Sequence, residues 1–381
     1  MKPTVAHVHE QFLAISETFI YQFLQNAEAT RPVPVYCQRT NADIFPWDDV
    51  REVVYARKYS LNSLSTGLLR KSRVRPAATT MTGPYCKTLS KLKPDLVHAH
   101  FGPDGCKVMY ACEQLHIPFV VSFYGYDLSQ LITERFWQDA YRDLFARAAG
   151  VIALSEDFRR RLLAIGCPAE KIHIIRIGVN PEDFPFRPAV PGRNKPVRIL
   201  SVARCVEKKG IDYGLEALVI VRKQYPDVHF THIGDGPLRG EWQALATKLG
   251  VADCCDWRGS QPRTIVREEM ERSDIFMQPS IRAGNGDEEG TPVVLYEAMA
   301  TGLPIVSTWH SGISEAVLNG ENGYLAPERD AEALAENILS LLQNPGEWED
   351  MGKRGRQLVA ERFDGHTEAK KLEALYLSLL H

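Results

Sequence analysis

No apolar run in this sequence approaches the roughly 20 residues that a bilayer-crossing helix needs. The opening MKPTVAHVHE lacks the apolar stretch of a secretory signal. There is no CxxC pair: the eight cysteines (Cys37, Cys86, Cys106, Cys112, Cys167, Cys205, Cys254, Cys255) lie scattered through apolar strand and helix patterns, without metal-site spacing. That usage fits reduced core thiols in a cytoplasmic protein rather than a disulfide framework. GxGxxG follows the first strand pattern of neither half, which argues against a nicotinamide dehydrogenase. No internal repeat, DxD pair or recognised nucleic-acid motif is present, so neither a repeat array nor a nucleic-acid binder is expected.

What is present is enough for two cores. A chain of 381 residues, 44% hydrophobic and 24% charged, suits two ordinary globular domains. The net charge of −3 is unevenly placed: Arg51 to Lys93 holds ten Lys/Arg against Glu52 alone, a local +9 that leaves −12 elsewhere. A field of that sign favours an anionic surface, such as lipid headgroups at the inner face of the cell membrane. The plainer alternative is a solvated face whose long basic side chains cover apolar surface.

Short β-branched runs alternate with amphipathic helical stretches. In the first half the strand patterns fall at Thr4–Val8, Val33–Cys37, Asp95–Gly102, Pro118–Phe123 and Gly150–Leu154. Helices are expected from Ser16, around Leu61–Arg70, over Ala77–Leu92 and from Leu128 to about Ala148. Asn180–Pro196, with five prolines, reads as a linker. The alternation then restarts at Val197, with strands at Val228–Ile233, Asp274–Gln278, Pro304–Ser307 and Gly323–Leu325. This is α/β patterning for parallel sheets covered on both faces, and it predicts two doubly wound, Rossmann-like domains facing across a cleft at the strands' carboxyl ends.

The densest chemistry lies in GNGDEEGTPVVLYEAMATGLP, Gly284 to Pro304. An acidic loop (Asp287, Glu288, Glu289, Gly290) runs into Thr291-Pro292, where Thr291 can cap a helix and Pro292 suits its first position. Free amides at such a start bind an anion, whereas carboxylates suit sugar hydroxyls. Glu297 lies eight residues past Glu289, roughly 12 Å if the span were helical. Upstream, Arg204 and Lys209 before Gly210 are two cations able to neutralise a diphosphate. Gly234 and Gly259 allow close backbone approach to a nucleotide, although either is equally a tight turn.

In the first half, His98 and His100 share one strand face. Two histidines without a third ligand argue against zinc, and satisfied core histidines are expected, with His100 near enough the strand end to meet substrate. Tyr124 and Asp127, and His9, Ser16, Glu17 and Thr18 at the first strand–helix turn, are candidates for holding sugar or acceptor hydroxyls.

These motifs together resemble family 4 of the retaining glycosyltransferases, which have the GT-B fold. The resemblance spans the chain and is carried chiefly by ARCVEKKG (Ala203–Gly210), GDGPLR (Gly234–Arg239), EEGTPVVLYEAMATGLPIVST (Glu288–Thr308) and HSGISEAVLNGENGYL (His310–Leu325). SETF (Ser16–Phe19) and GNGDEEGTP are similar to the exopolysaccharide, colanic-acid-type branch. The resemblance implies that Arg204 and Lys209 grip a nucleotide-sugar's diphosphate and that Glu297 holds the ribose. Glu289 would hold the transferred sugar, with the amides of Gly290, Thr291, Pro292's neighbours and Val293 around its phosphate. It also implies no metal cofactor, and a final helix near 365–381 crossing back onto an N-terminal acceptor domain of residues 1–187. The donor domain would span 196–364. Two departures stand out: Tyr124 replaces the family's His in HGxD, and HEQFLAIS replaces its glycine-rich first loop.

The expected activity is metal-independent, retaining transfer from a nucleotide-diphosphate sugar (UDP- or GDP-linked) to a hydroxyl of a glycan or lipid-linked saccharide. A sugar phosphorylase or nucleotide-sugar epimerase on the same fold, or a non-catalytic nucleotide-sugar-binding subunit, are the competing expectations.

Overall fold

The computed structural model describes residues 1–15, 17–54, 78–190, 196–290 and 292–380. The expected Leu61–Arg70 helix, most of the basic segment, Ser16 and Thr291 therefore lie outside the described residues. Thirteen strands are described: β1 (Thr4–Phe12), β2 (Arg31–Arg39), β3 (Arg51–Glu52), β4 (Leu96–His100), β5 (Phe119–Ser122), β6 (Gly150–Ala153), β7 (Ile172–Ile174), β8 (Arg198–Val202), β9 (His229–Ile233), β10 (Cys255–Trp257), β11 (Ile275–Gln278), β12 (Ile305–Thr308) and β13 (Gly323–Ala326). They form two sheets, ordered β3-β2-β1-β4-β5-β6-β7 and β10-β9-β8-β11-β12-β13. Every pairing is parallel.

Both orders reverse direction after the third strand, so each sheet has a switch point: between β1 and β4 in the first, between β8 and β11 in the second. Connections leave to opposite faces there, which opens a crevice outside the carboxyl ends of the two strands. Neighbouring strand residues confirm the two covered faces. Ile199, Ile275 and Val306 join one core cluster, with Leu215, Leu218 and Ile338 of flanking helices. Leu200, Phe276 and Ile305 join the other, with Leu295, Met299 and Leu358. A period of two with both phases apolar is what a sheet buried on both sides requires.

The chain divides into two compact units, Met1–Ile177 with Gly365–His381, and Gly178–Asp364. The boundary corrects the expected one at 187–196. The proline-rich stretch is docked on the second unit: Val179 N–H donates to Phe363 O at 2.9 Å, and Phe184 lies in that unit's core. The helix Gly365–Ser378 completes the first unit. Its Leu372, Leu375 and Tyr376 pack with Val5, Leu96, Val120 and Ile152. Its Glu373 carboxylate accepts from the amides of Glu28, Ala29 and Thr30 and from the Thr30 hydroxyl, at 2.7–3.0 Å.

The long helix expected from Leu128 is shorter, running Arg135–Arg147 behind a single 3-10 turn at Leu131–Thr133. Glu134 is extended (φ −94°, ψ 125°), which interrupts the helical backbone between the two. No helix among the described residues is long and apolar enough to cross a membrane.

Candidate functional site

Two loops meet over the switch point of the second sheet. After β8 the chain makes a 3-10 turn, Glu207–Lys209, ending at Gly210. Gly210 is left-handed (φ 60°), and a Cβ there would stand 2.0 Å from Pro279 O, so only glycine lets the two loops close up. Ile281 N–H donates to Lys208 O at 2.9 Å and joins them.

That closure brings the acidic loop onto the cations. Lys209 Nζ lies 2.9 Å from Glu289 Oε1. Lys208 Nζ lies 3.3 Å from the same oxygen and 3.1 Å from Asp287 Oδ1, and it donates to Glu288 O at 3.2 Å. Both lysines and Glu289 are buried. Burial pushes the Glu289 carboxyl up, but the two ammonium groups outweigh it and hold it well below the usual carboxylate range. Burial lowers the Lys209 ammonium, against the pull of Glu289; at Lys208 burial acts the same way, and the carboxylates of Glu289 and Asp287 overcome it. Arg204, by contrast, is exposed, and its charge is close enough to disfavour both lysine cations. Lys209 was expected to neutralise a diphosphate together with Arg204; the structure pairs it with Glu289.

A third fastening comes from a residue pair that the sequence reading passed over. Glu289 N–H donates to His310 Nε2 at 3.1 Å, and His310 Nδ1 lies 2.6 Å from Glu328 Oε1. The amide contact requires a bare Nε2, so the ring carries its proton on Nδ1, toward Glu328. Glu288 faces Arg282 at 3.2 Å. Beyond Gly290 the helix runs Val293–Thr301, so Pro292 stands one position before the first helical residue rather than in it. In that first turn Leu295 N–H donates to Pro292 O at 3.0 Å, while the amides of Val293 and Val294 come before the helix's own hydrogen-bond ladder and suit an anion.

Glu297 is buried in this helix, 3.7 Å from Arg263, whose guanidinium also lies over the Phe184 ring and 3.5 Å from Asp183. Burial raises its carboxyl pKa, with Arg263 opposing. Gly234 and Gly259 are brought together: Gly234 N–H donates to Gly259 O at 2.8 Å. A Cβ on Gly234 (φ 147°) would stand 1.8 Å from Ala203 O, so the β8 and β9 loops touch through backbone.

The first unit has its own cluster at its switch point. His9 Nδ1 lies 2.7 Å from Asp104 and Nε2 3.1 Å from Glu17, whose same oxygen accepts from Ala14 N–H. Burial alone would depress this imidazole, but the two carboxylates raise it to about 9. His9 is therefore an imidazolium at neutral pH, a donor and not a base. Deeper in, the two-histidine pattern gains a third member from β1: His7 Nδ1 lies 3.1 Å from His100 Nε2. The three offer ring nitrogens within 4.8 Å of one another, which removes the spacing argument against a metal. Both nitrogens of His98 are nevertheless engaged, by Tyr376 at 2.6 Å and Ser122 at 2.7 Å. His100 Nδ1 meets the Tyr124 hydroxyl at 2.7 Å.

Three of the expected hydroxyl-holding groups are turned inward. His100 is fully buried, and Tyr124 is buried with its phenol on His100. Asp127 is a correction: it is fully buried and accepts from the amides of Gly102, Tyr124 and Gly125 at 2.9–3.1 Å, so it fixes the loop and offers no oxygen to a sugar. Its carboxyl is pushed up to about 6 by burial, against those amides.

Two all-parallel doubly wound units, each with polar clusters over its switch point, make the GT-B architecture. A glycosyltransferase from Rickettsia africae superposes with a TM-score of 0.80 over 100% of this chain and 99% of its own, at 17% identity. Anabaena HepE, solved with UDP and glucose, gives 0.76 over 99% of both chains at 18% identity. Residues 17–183 match Glycosyltransferase Family 4 and residues 183–358 match Glycosyl transferases group 1. The amylovoran biosynthesis glycosyltransferase AmsK of Erwinia amylovora is 37% identical over 73% of this chain and 69% of its own length. The putative colanic acid biosynthesis glycosyltransferase WcaL of Escherichia coli is 34% identical over 75% and 71%. The chain belongs to the family 4, group 1 glycosyltransferases.

Proposed function

We propose that this glycosyltransferase moves a sugar, with retention of configuration and without a metal, from a nucleotide-diphosphate sugar to a hydroxyl of a glycan or lipid-linked acceptor in cell-surface polysaccharide synthesis. The observation that carries the reading is the meeting of Lys209 with Glu289, in the loop that leads into the Val293–Thr301 helix. Cation, carboxylate and free amides are the three groups needed to read a diphosphate with sugars on either flank. The names of the exopolysaccharide relatives support the acceptor class, and the UDP-bound neighbour supports the donor class.

The chemistry follows from charge. As the glycosidic bond opens, negative charge grows on the diphosphate and positive charge on the sugar ring. Lys209, Arg204 and the helix amides stabilise the first, and they do so more in the transition state than in the bound donor. Glu297 serves the ribose hydroxyls and Glu289 the transferred sugar. The base is proposed to pack against the backbone at Gly234 and Gly259. The leaving phosphate oxygen accepts the acceptor hydroxyl's proton, so no side-chain base is required. On the acceptor side, Glu17 is the candidate hydroxyl acceptor, since His9 and Ala14 hold one of its oxygens. The protein is proposed to act on the cytoplasmic side, with its basic segment toward anionic lipid.

A thermal-shift panel of UDP, GDP and ADP, with their sugars and with EDTA present, tests the donor class, because a bound donor raises Tm by mass action. One diphosphate series should stand out, and Lys209→Ala should lose about 10²-fold or more in turnover of that donor. No shift with any diphosphate, or release of sugar phosphate on adding phosphate alone, overturns the reading.

A further inference from the structure

The donor reading sets up a conflict around Lys209. That cation is needed on the diphosphate, yet it sits 2.9 Å from Glu289, a carboxylate buried to 9% exposure. If Lys209 turns to a phosphate, Glu289 loses its nearest counterion while still out of water. Stripping the partner from a buried charge is strongly unfavourable. Something else in the site must keep Glu289 ionised and in place.

We infer that Lys208 is that group: a second, resident counterion that holds Glu289 while Lys209 transfers to the donor's diphosphate. Its Nζ is already 3.3 Å from the same Glu289 oxygen. It is anchored independently of Lys209, by Asp287 Oδ1 at 3.1 Å and Glu288 O at 3.2 Å, and Ile281 N–H ties its carbonyl at 2.9 Å. Lys208 is itself buried and held by three oxygens, of Glu289, Asp287 and Glu288, so it has neither the need nor the freedom to follow the phosphate. The adjacent lysines thus divide one task, Lys209 exchanging partners and Lys208 staying.

The inference rests on the proposed donor chemistry, and it separates from that reading by experiment. Binding of UDP, GDP and ADP and of the matching monophosphates is measured by calorimetry on the full chain and on K208M, K208R, E289Q and K208M/E289Q. For the diphosphate that binds, K208M should weaken affinity tenfold or more, since the swap would strand Glu289. K208R should restore it to within about threefold, because the charge is kept. The monophosphate, which makes no demand on Lys209, should change less than threefold. With Glu289 made neutral, adding K208M should cost less than threefold, a coupling that a merely structural lysine would not produce. Lys208→Gln replaces K208M in the comparison if the Met variant fails to fold. If the wild type binds no diphosphate, the donor reading fails and takes this inference with it. If it binds and K208M binds equally well, or if K208M weakens mono- and diphosphates alike or persists in the E289Q background, the inference alone is overturned.

Discussion

At the scale of single residues, the acidic loop before the Val293–Thr301 helix is defined by who neutralises whom. His310 enters that balance as the acceptor for the Glu289 amide. Removing it leaves the Glu289 amide buried without a partner, at a cost of about 1–3 kcal/mol. His310→Ala is therefore expected to lower stability in urea titration and to weaken diphosphate binding. His310→Gln, which can place an oxygen near Nε2, should recover most of both. Equal losses in the two variants would show that ring packing, not the acceptor, is what matters. None of this was visible in the sequence. HSGISEAV marked His310 as part of a motif but not as a partner of a residue 21 positions earlier. Lys208 was hidden for a similar reason. Two neighbouring lysines normally signal solvent, and both are buried here only because Asp287 and Glu289 arrive from about 80 residues away.

At the scale of elements, the strands were the legible part. Most interior strands are short apolar runs ended by polar or glycine residues, with both sheet faces covered, although β1, β4 and β9 carry histidines within them. Helix starts were less legible, since a cap is a local geometry that several sequences can take. The Arg135–Arg147 helix begins late, and Pro292 precedes its helix instead of opening it. One helical residue carries an unusual share of its element's attachment. Four donors point at the Glu373 carboxylate. Burial raises its pKa, but those hydrogen bonds outweigh burial and lower it. A folded-state pKa below the unfolded one means stability that is present above the ordinary Glu range and lost as pH falls through the depressed value. Glu373→Gln should cost about 1–3 kcal/mol at pH 7 by urea denaturation. The gap to wild type should narrow as pH falls below the ordinary Glu range and close only once the depressed native carboxylate is itself protonated. A gap that stays constant with pH would refute the charge argument.

At the scale of the whole molecule, the chain is not two beads on a string. The first unit is discontinuous and takes its last helix from beyond the second. Deleting residues 365–381 uncovers Val5, Leu96, Val120 and Ile152 and takes Tyr376 from His98. The second unit, contiguous from Gly178 to Asp364, keeps all its own contacts. Limited proteolysis of the truncated chain should accordingly cut the first unit much faster than in wild type, while a fragment of the second survives. Uniform loss of both units would mean that the tail stabilises more than its own unit. The family and the two-unit architecture could be read from motifs, because GT-B elements sit close together in sequence. The inward-facing Tyr124, His100 and Asp127 could not, since strand-end position alone does not say whether a side chain faces ligand or core.

Synthesis runs from the amino end, and that gives the borrowed helix a temporal meaning. The second unit has its full sequence outside the ribosome before the first does, although it is translated later. Until Gly365–Ser378 emerges, the earlier-made sheet keeps an apolar face open to every other nascent chain. The first half of this enzyme therefore waits for residues 365–381, and it is during that wait that a chaperone has the most surface to hold.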